Sequence, residues 1–283
     1  MIRKIIKGFR KNKLACIGVG YLTILLTVAL FAPWISPYDP YAMHLDHILE
    51  GPSRAFLLGT DNLGRDLLSR LIYGTRTTLL ASFIIVSITC CIGTVLGTLA
   101  GYYGGIIDDT IMRIVDILMG LPQMVVALGM IAVLGPSFTN ILLLLSLLTW
   151  TDFARLARGG TISLKESEYV AAARAYGAST FRIIFKHIIS NNLAPIIVMY
   201  TLRMAYTILT LSGLSYLGFG IQPPTPDWGN IVSIGQQYIL VSPWMAVFSG
   251  VAISMTILAF NFIGDGLRDF LDPRQRVRMQ LKK

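Results

Sequence analysis

The chain has 283 residues, of which 54% are hydrophobic and only 14% charged, with 24 Lys and Arg against 15 Asp and Glu. Soluble domains carry about 25% charged residues, so an ordinary water-soluble globule is excluded, and so is intrinsic disorder. Three Cys, each inside an apolar run, exclude a disulfide scaffold.

Charge gaps mark the spans. No Asp, Glu, Lys or Arg occurs from Leu14 to Tyr38, Thr77 to Ile107, Ile117 to Thr151 or Trp228 to Gly264. A bilayer-spanning helix needs about 20 apolar residues, so each gap holds at least one. The first span is read at 14–33. Its basic, then apolar, start has the outline of a signal peptide, but the apolar run is too long, and Pro33-Trp34 stands where a small-residue cleavage site would be. An outer loop, 34–76, leads to the second span at 79–101. The third gap is interrupted by Gly135-Pro136-Ser137, a turn signal. It predicts a tight hairpin of spans 116–134 and 139–152, the latter extending into the turn that follows it. The fifth span, 194–217, contains one charge, Arg203, and the sixth is 243–264. The whole of 1–283 reads as a single all-α transmembrane domain with six helices.

Lys and Arg gather on the cytoplasmic side of membrane proteins. Six precede span one, six follow span six, six lie between spans four and five, and Arg113 lies between spans two and three. Only Arg54, Arg65, Arg70 and Arg76 fall on the other side. Both termini are therefore expected in the cytoplasm. Topology accounts for the net charge of +9, and no nucleic-acid partner is needed.

The chemistry is sparse. No G-x-x-x-x-G-K-[ST] phosphate loop occurs, so the chain is not expected to bind or hydrolyse ATP. His44 and His47 flank Asp46, but no Cys or third His is near, and a solvated loop is the better reading than a metal site. Asp116 and Asp265 sit at span boundaries. With no acid expected at mid-depth, a proton-coupled pump is disfavoured, as is an autonomous channel or secondary transporter, the alternative to a subunit of a larger importer.

The connection 153–192 is the most informative segment. It reads SLKESEYVAAARAYGASTFRIIFKHIISNN from Ser163. Ser163 and Glu166 have capping-box spacing for a helix through Glu168-Tyr169-Val170 and three alanines. Gly177 is placed to end that helix in the left-handed conformation. Ser179 or Thr180 caps a second helix with the apolar stripe Phe181, Ile184, Phe185, Ile188 and the polar pair Arg182 and Lys186. About 40 residues far exceed the usual helix–helix connection, so the segment reads as a docking surface for a cytoplasmic partner.

This segment resembles the EAA loop of permease subunits of bacterial ABC importers of the peptide/nickel family. The matching residues are Glu168-Tyr169-Val170, Ala172-Ala173-Arg174-Ala175, Gly177-Ala178, His187-Ile188 and Asn191. Two positions depart: the loop's eponymous Glu is Ala171, and the usual Leu-Pro is Ile189-Ser190, which leaves the end of the second helix unset. Further motifs agree in order, namely GTDNLGRDLLSR (59–70), LGFGIQPPTPDWGN (217–230) and FNFIGDGLRDFLDPR (260–274). The short first outer loop is similar to that of the C-type subunit of dipeptide and nickel systems.

The resemblance implies a type I ABC importer permease fold and half of a translocation pathway for short peptides or nickel, free or chelated. A second homologous permease subunit would supply the other half. Two ATPase subunits, which hold ATP and Mg, would dock on Glu168, Tyr169, Ala172, Ala173, Arg174, Gly177 and Ala178. An extracytoplasmic binding protein would deliver substrate near the Pro-stiffened loop with Asp227 and Trp228. The chain itself would carry no cofactor and no catalytic residue, and it would sit in the bacterial inner membrane within the lipid bilayer. Asp61, Arg65, Asp66 and Arg70 are expected to form surface pairs worth about 0–1 kcal/mol. Arg203 lies ten residues past Leu193, about 15 Å into span five. At that depth it must meet backbone carbonyls or an acid of the partner permease, or else line the pathway and attract a substrate carboxylate.

Overall fold

A computed structural model describes residues 12–271. The basic residues before Asn12 and after Leu271 lie outside the described residues, as does the Asp272-Pro273-Arg274 end of the last motif. The described chain forms α1 (Lys13–Leu30), α2 (Leu67–Tyr103), α3 (Gly105–Gly120), α4 (Gln123–Leu134), α5 (Phe138–Lys165), α6 (Glu168–Ala175), α7 (Thr180–Tyr216), α8 (Trp228–Gln237) and α9 (Pro243–Leu271). Helices α1, α2, α5, α7 and α9 are each long and apolar enough to cross a bilayer, and α3 with α4 makes a sixth when taken as one broken span.

The third span is not the straight helix expected at 116–134. The chain bends by 86° between α3 and α4. Pro122 has no N–H to donate and its ring disfavours helical backbone at the residue before it; Leu121 accordingly turns to ψ 139°. The fourth span also runs further than counted, since α5 continues through Asp152 to Lys165. Helices α2 and α7, at 37 residues each, reach about 55 Å against a hydrocarbon thickness of about 30 Å. Both therefore project beyond the membrane.

Helix starts follow side-chain capping of otherwise unpaired N–H groups. Asn12 accepts from Ala15 N at 3.1 Å, Asp66 from Ser69 N at 2.7 Å and Ser137 from Asn140 N at 3.1 Å. One packing device went unread in the sequence. Gly93, Gly97 and Gly101 form a stripe of small residues along α2, and α5 lies directly on it. A Cβ at Gly93 or Gly97 would run into the backbone of Trp150 or Ala154, and one at Gly101 would come within 2.8 Å of Arg158 O. Small residues let helix backbones approach closely where no hydrophobic drive exists between them. The Gly-x-x-x-Gly-x-x-x-Gly spacing was the available signal.

Around this seam, α1, α2, α7, α8 and α9 share a core of Leu67, Leu71, Ile208, Trp228, Ile231 and Met245. A second core joins α4 and α5 to α2 and α7 through Ile85, Ile131, Ile141 and Leu214. Ion pairs close the far ends: Arg158 Nε and Nη2 hold Asp108 at 2.5 and 2.6 Å, and Arg155 holds Asp116 at 2.5 Å.

Candidate functional site

Three places carry chemistry. The first is the α5–α7 connection. Its first helix does not start at Ser163, which lies inside α5; Ser167 takes the N-cap position of α6 instead. The reason is that α5 runs on to Lys165, leaving only Glu166 and Ser167 to turn the chain. At the other end Gly177 has φ +76°, Gly177 N donates to Arg174 O and Ala178 N to Ala173 O, both at 3.0 Å. This is the double hydrogen bond of a Schellman ending, which favours glycine because only it adopts positive φ without penalty. Ser179 then caps the next helix, accepting from Arg182 N at 3.4 Å.

That second helix has no end of its own. A π-helical run, Ile183–Ile189, passes directly into the rest of α7, as the missing proline at Ser190 allows. Val170 is buried against Ile183 and Ile188, which fastens α6 to α7. Ile184 and Ile188 of the apolar stripe are buried, whereas Phe181 is 71% exposed and Phe185 47%. Glu168, Tyr169, Ala172, Arg174 and Gly177 are exposed, Ala173 and Ala178 are half-buried, and Tyr176 is 92% exposed. A Cβ built at Gly177 would meet nothing within 4 Å. The connection thus offers an open face with aromatic side chains.

The second place is Arg203. It pairs with Asp152 of its own chain, and its guanidinium lies 5.2 Å from the centre of the Tyr206 ring. The acid expected on a partner subunit is therefore supplied from α5. Counting charge gaps had put Asp152 at the edge of a span, but α5 extends 14 residues before it and 13 after it. Both side chains keep about a fifth of their surface, 18% for Asp152 and 19% for Arg203. They face a hollow of about 390 Å³ lined also by Gln123, Met199, Leu202 and Tyr206. Gln123 opens α4 just after the Pro122 bend, so the break between α3 and α4 places Gln123 on the wall of the same hollow.

The third place is the pair of loops at the other end. Asp61 accepts Arg65 Nε at 2.7 Å and Arg70 Nε at 3.3 Å, and all three are at most 3% exposed. Asp61 also takes the N–H groups of Leu63 and Arg65, each at 2.9 Å. These are buried pairs and not the surface pairs expected, because the 36–66 segment folds over the start of α2 and Arg70 reaches back to Pro40 O at 3.3 Å. His47 bonds Glu50 at 2.5 Å, while His44 packs on Tyr38 and Phe56. Among the described residues no three His, Cys, Asp or Glu gather as metal ligands.

Asp227 and Trp228, proposed for docking, are each 1% exposed. Asp227 caps α8, accepting from Asn230 N at 3.1 Å, and accepts Thr78 Oγ1 at 3.2 Å. Trp228 donates to Leu71 O at 3.1 Å over the open side of Gly74. Their side chains staple α8 onto α2 and cannot touch an incoming protein. Burial pushes the Asp227 carboxyl above the ordinary carboxylate range, and the hydrogen bonds it accepts from Asn230 N and Thr78 offset only part of this.

Comparison with known proteins decides the family. Residues 93–277 match the family described as the inner membrane component of binding-protein-dependent transport systems, and residues 1–52 match the N-terminal transmembrane domain of oligopeptide transport permease C. The dipeptide transport system permease protein DppC of Alkalihalophilus pseudofirmus is 42% identical over 274 residues, covering 97% of this chain and 90% of that protein. The chain belongs to the permeases of binding-protein-dependent import. DppC of Haemophilus influenzae is 39% identical over 94% of the permease and 92% of its own length. The glutathione transport system permease protein GsiD of Pectobacterium atrosepticum is also 39% identical, covering 96% and 91%. A chain of the MetNI methionine ABC transporter, solved in inward-facing conformations, superposes with a TM-score of 0.58 at 19% identity, covering 72% of the permease and 97% of that chain. Its likeness is one of fold.

Family membership sets aside the autonomous channel and the secondary transporter, and makes the permease a multi-pass inner-membrane transport component without a catalytic subunit's role. Sequence reading brought out the α6 turn and Arg203. It missed Asp152, whose signal was a lone acid two residues after Trp150 opposite a lone intramembrane Arg.

Proposed function

We propose that the permease moves short peptides as one half of an ATP-driven importer, with a second homologous permease completing the pathway. The observation that carries the peptide reading is the near full-length likeness to permeases named for dipeptide and for glutathione transport. Nickel, the other cargo class of the resemblance, is not named by these three relatives. In this reading both termini face the cytoplasm, and two ATPase subunits, which hold ATP and Mg, dock on the exposed face of α6 and the Tyr176, Phe181 and Phe185 rings beside it. Glu168, Tyr169, Ala172, Ala173, Arg174, Gly177 and Ala178 belong to that face. An extracytoplasmic binding protein docks on the backbone and outward surface around the Pro-rich loop after α7, while Asp227 and Trp228 hold that loop from beneath. Arg203 lines the pathway. Alternating access then needs two states of the permease pair, biased by ATP at one end and by loaded binding protein at the other.

Co-expression with its ATPases, partner permease and binding protein tests the reading. The ATPases should co-purify, and proteoliposomes should take up labelled dipeptide only when ATP is present on the ATPase side. Uptake without ATPases, or uptake of nickel salts but of no peptide, would overturn it. The permease purified alone should show no ATP turnover.

A further inference from the structure

We propose that Asp152 and Arg203 form a subsite that reads both ends of a zwitterionic peptide. The peptide ammonium takes the place of Arg203 on Asp152, and the peptide carboxylate takes the place of Asp152 on Arg203. The inference rests on the peptide reading above.

The placement of the pair carries it. A pair of opposite charges withdrawn from water repays its desolvation only when its geometry is excellent and every remaining donor and acceptor is satisfied. This pair stands at the wall of a hollow, with about a fifth of each side chain uncovered. Beside the apolar Met199 and Leu202, the hollow presents the two charges, the Gln123 side chain and the Tyr206 ring with its hydroxyl. Polar groups that converge on one hollow are what fix the orientation of a small molecule bound there.

The chemistry of exchange follows from charge balance. Opening the pair inside a span would leave two unpaired charges, which is costly. A zwitterion removes that cost, because each protein charge exchanges one partner for another of the same sign and no net charge enters or leaves. A guanidinium can meet a free carboxylate bidentately, and the carboxylate of Asp152 accepts an ammonium as well as a guanidinium. The termini of an extended dipeptide lie about 7 Å apart, so the pair must separate for both ends to bind. Tyr206 gives Arg203 a ring face to rest on during that movement, its centre 5.2 Å from the guanidinium carbon. A peptide capped at either end cannot complete the exchange and leaves Asp152 or Arg203 unpaired. The subsite therefore selects against capped peptides by penalty as well as by missing attraction.

The test uses the whole importer with its binding protein in proteoliposomes. The probes are a free dipeptide, its N-acetyl form and its C-terminal amide, with uptake expressed per loaded binding protein so that the latter's own selectivity cancels. For the unmodified importer, capping either end should slow turnover by about tenfold or more, the worth of one charge-assisted hydrogen bond. Equal turnover of free and capped peptides overturns the proposal without any variant. Asp152→Asn should abolish the discrimination against the N-acetyl form while keeping that against the amide, and Arg203→Gln the reverse. The double variant Asp152→Asn/Arg203→Gln leaves no unpaired charge to disturb folding. It should assemble and lose uptake of the free dipeptide by about tenfold. Uptake by the double variant at the unmodified rate means that the pair is structural only. If the unmodified importer moves no peptide at all, the peptide reading itself has failed; if it moves peptides but treats capped and free alike, only the subsite has.

Discussion

At the scale of single residues, burial decides roles that residue type alone leaves open. Asp61, Arg65 and Arg70 look in sequence like loop charges, yet each is at most 3% exposed. Removing one member of a buried pair costs about 3–5 kcal/mol, because the remaining charge stays buried without a partner. Asp61→Ala strands two guanidinium groups. It should lower the thermal unfolding midpoint of the detergent-solubilised permease and open the 36–66 segment to protease, while Asp46→Ala, in the exposed part of the same loop, should do neither. Asp227 gives a dependence on pH. Its carboxyl is raised from the ordinary 3.8 by burial, so the folded chain holds the proton more tightly than the unfolded chain. The stability contributed by this group is full below 3.8 and declines as pH rises through the raised folded value. Asp227→Asn keeps a capping oxygen and cannot ionise. Its unfolding midpoint relative to the unmodified permease should rise with pH across that window; a difference that stays flat would show that Asp227 ionises without cost in the fold.

At the scale of elements, what the sequence shows well is whatever short-range geometry determines. Gly177 reads correctly because a left-handed ending needs only the residue itself and its two hydrogen bonds. Ser163 misleads because capping-box spacing says nothing about whether the preceding helix has already stopped, and α5 has not. Pro122 was visible, but an apolar run on both sides of it hid a bend of 86°. The α2–α5 seam yields a sharp expectation. Gly97→Leu places side-chain atoms where the backbone of Ala154 already lies, and the two helices must separate. Overpacking of this kind costs about 1–3 kcal/mol in soluble cores and more where backbone cannot shift. The variant should insert yet fail to co-purify with the rest of the importer, whereas Gly129→Leu, with open space at its Cβ, should be tolerated. Gly177→Ala meets no neighbour and suffers only the left-handed penalty of about 1–2 kcal/mol. Gly177→Arg adds bulk to the open face of the α6 turn, so it should uncouple ATP turnover from transport while the permease itself remains folded. Normal uptake by that variant would remove the turn from the docking surface.

At the scale of the whole molecule, five long apolar helices and the family were legible because each rests on runs and motifs, while the bend in the third run and the partner of Arg203 were not. Pairing Arg203 with Asp152 depends on how α5 and α7 are rotated about their axes and at what depth they face each other, which neither run of sequence states by itself. Orientation remains a matter of charge distribution, and it makes a direct prediction. In a permease with Cys16, Cys90 and Cys91 replaced, a Cys at the exposed positions Leu57 and Tyr176 should react with a membrane-impermeant thiol reagent from opposite faces, position 176 from the cytoplasm. Labelling of both from one face would contradict the assigned topology. The unbroken passage from the turn after Gly177 into α7 has a mechanical meaning. Thr180, beside the docking face, and Arg203, in the hollow, are 23 residues apart on one helix, about 35 Å along its axis. A rod of that length turned by about 10° at one end sweeps the other through about 6 Å, roughly twice the length of a hydrogen bond. Motion imposed at the foot of such a lever reaches Arg203 past two places where a helix bends, the π-helical run Ile183–Ile189 and Pro195, and with those held straight it has the travel to part Arg203 from Asp152.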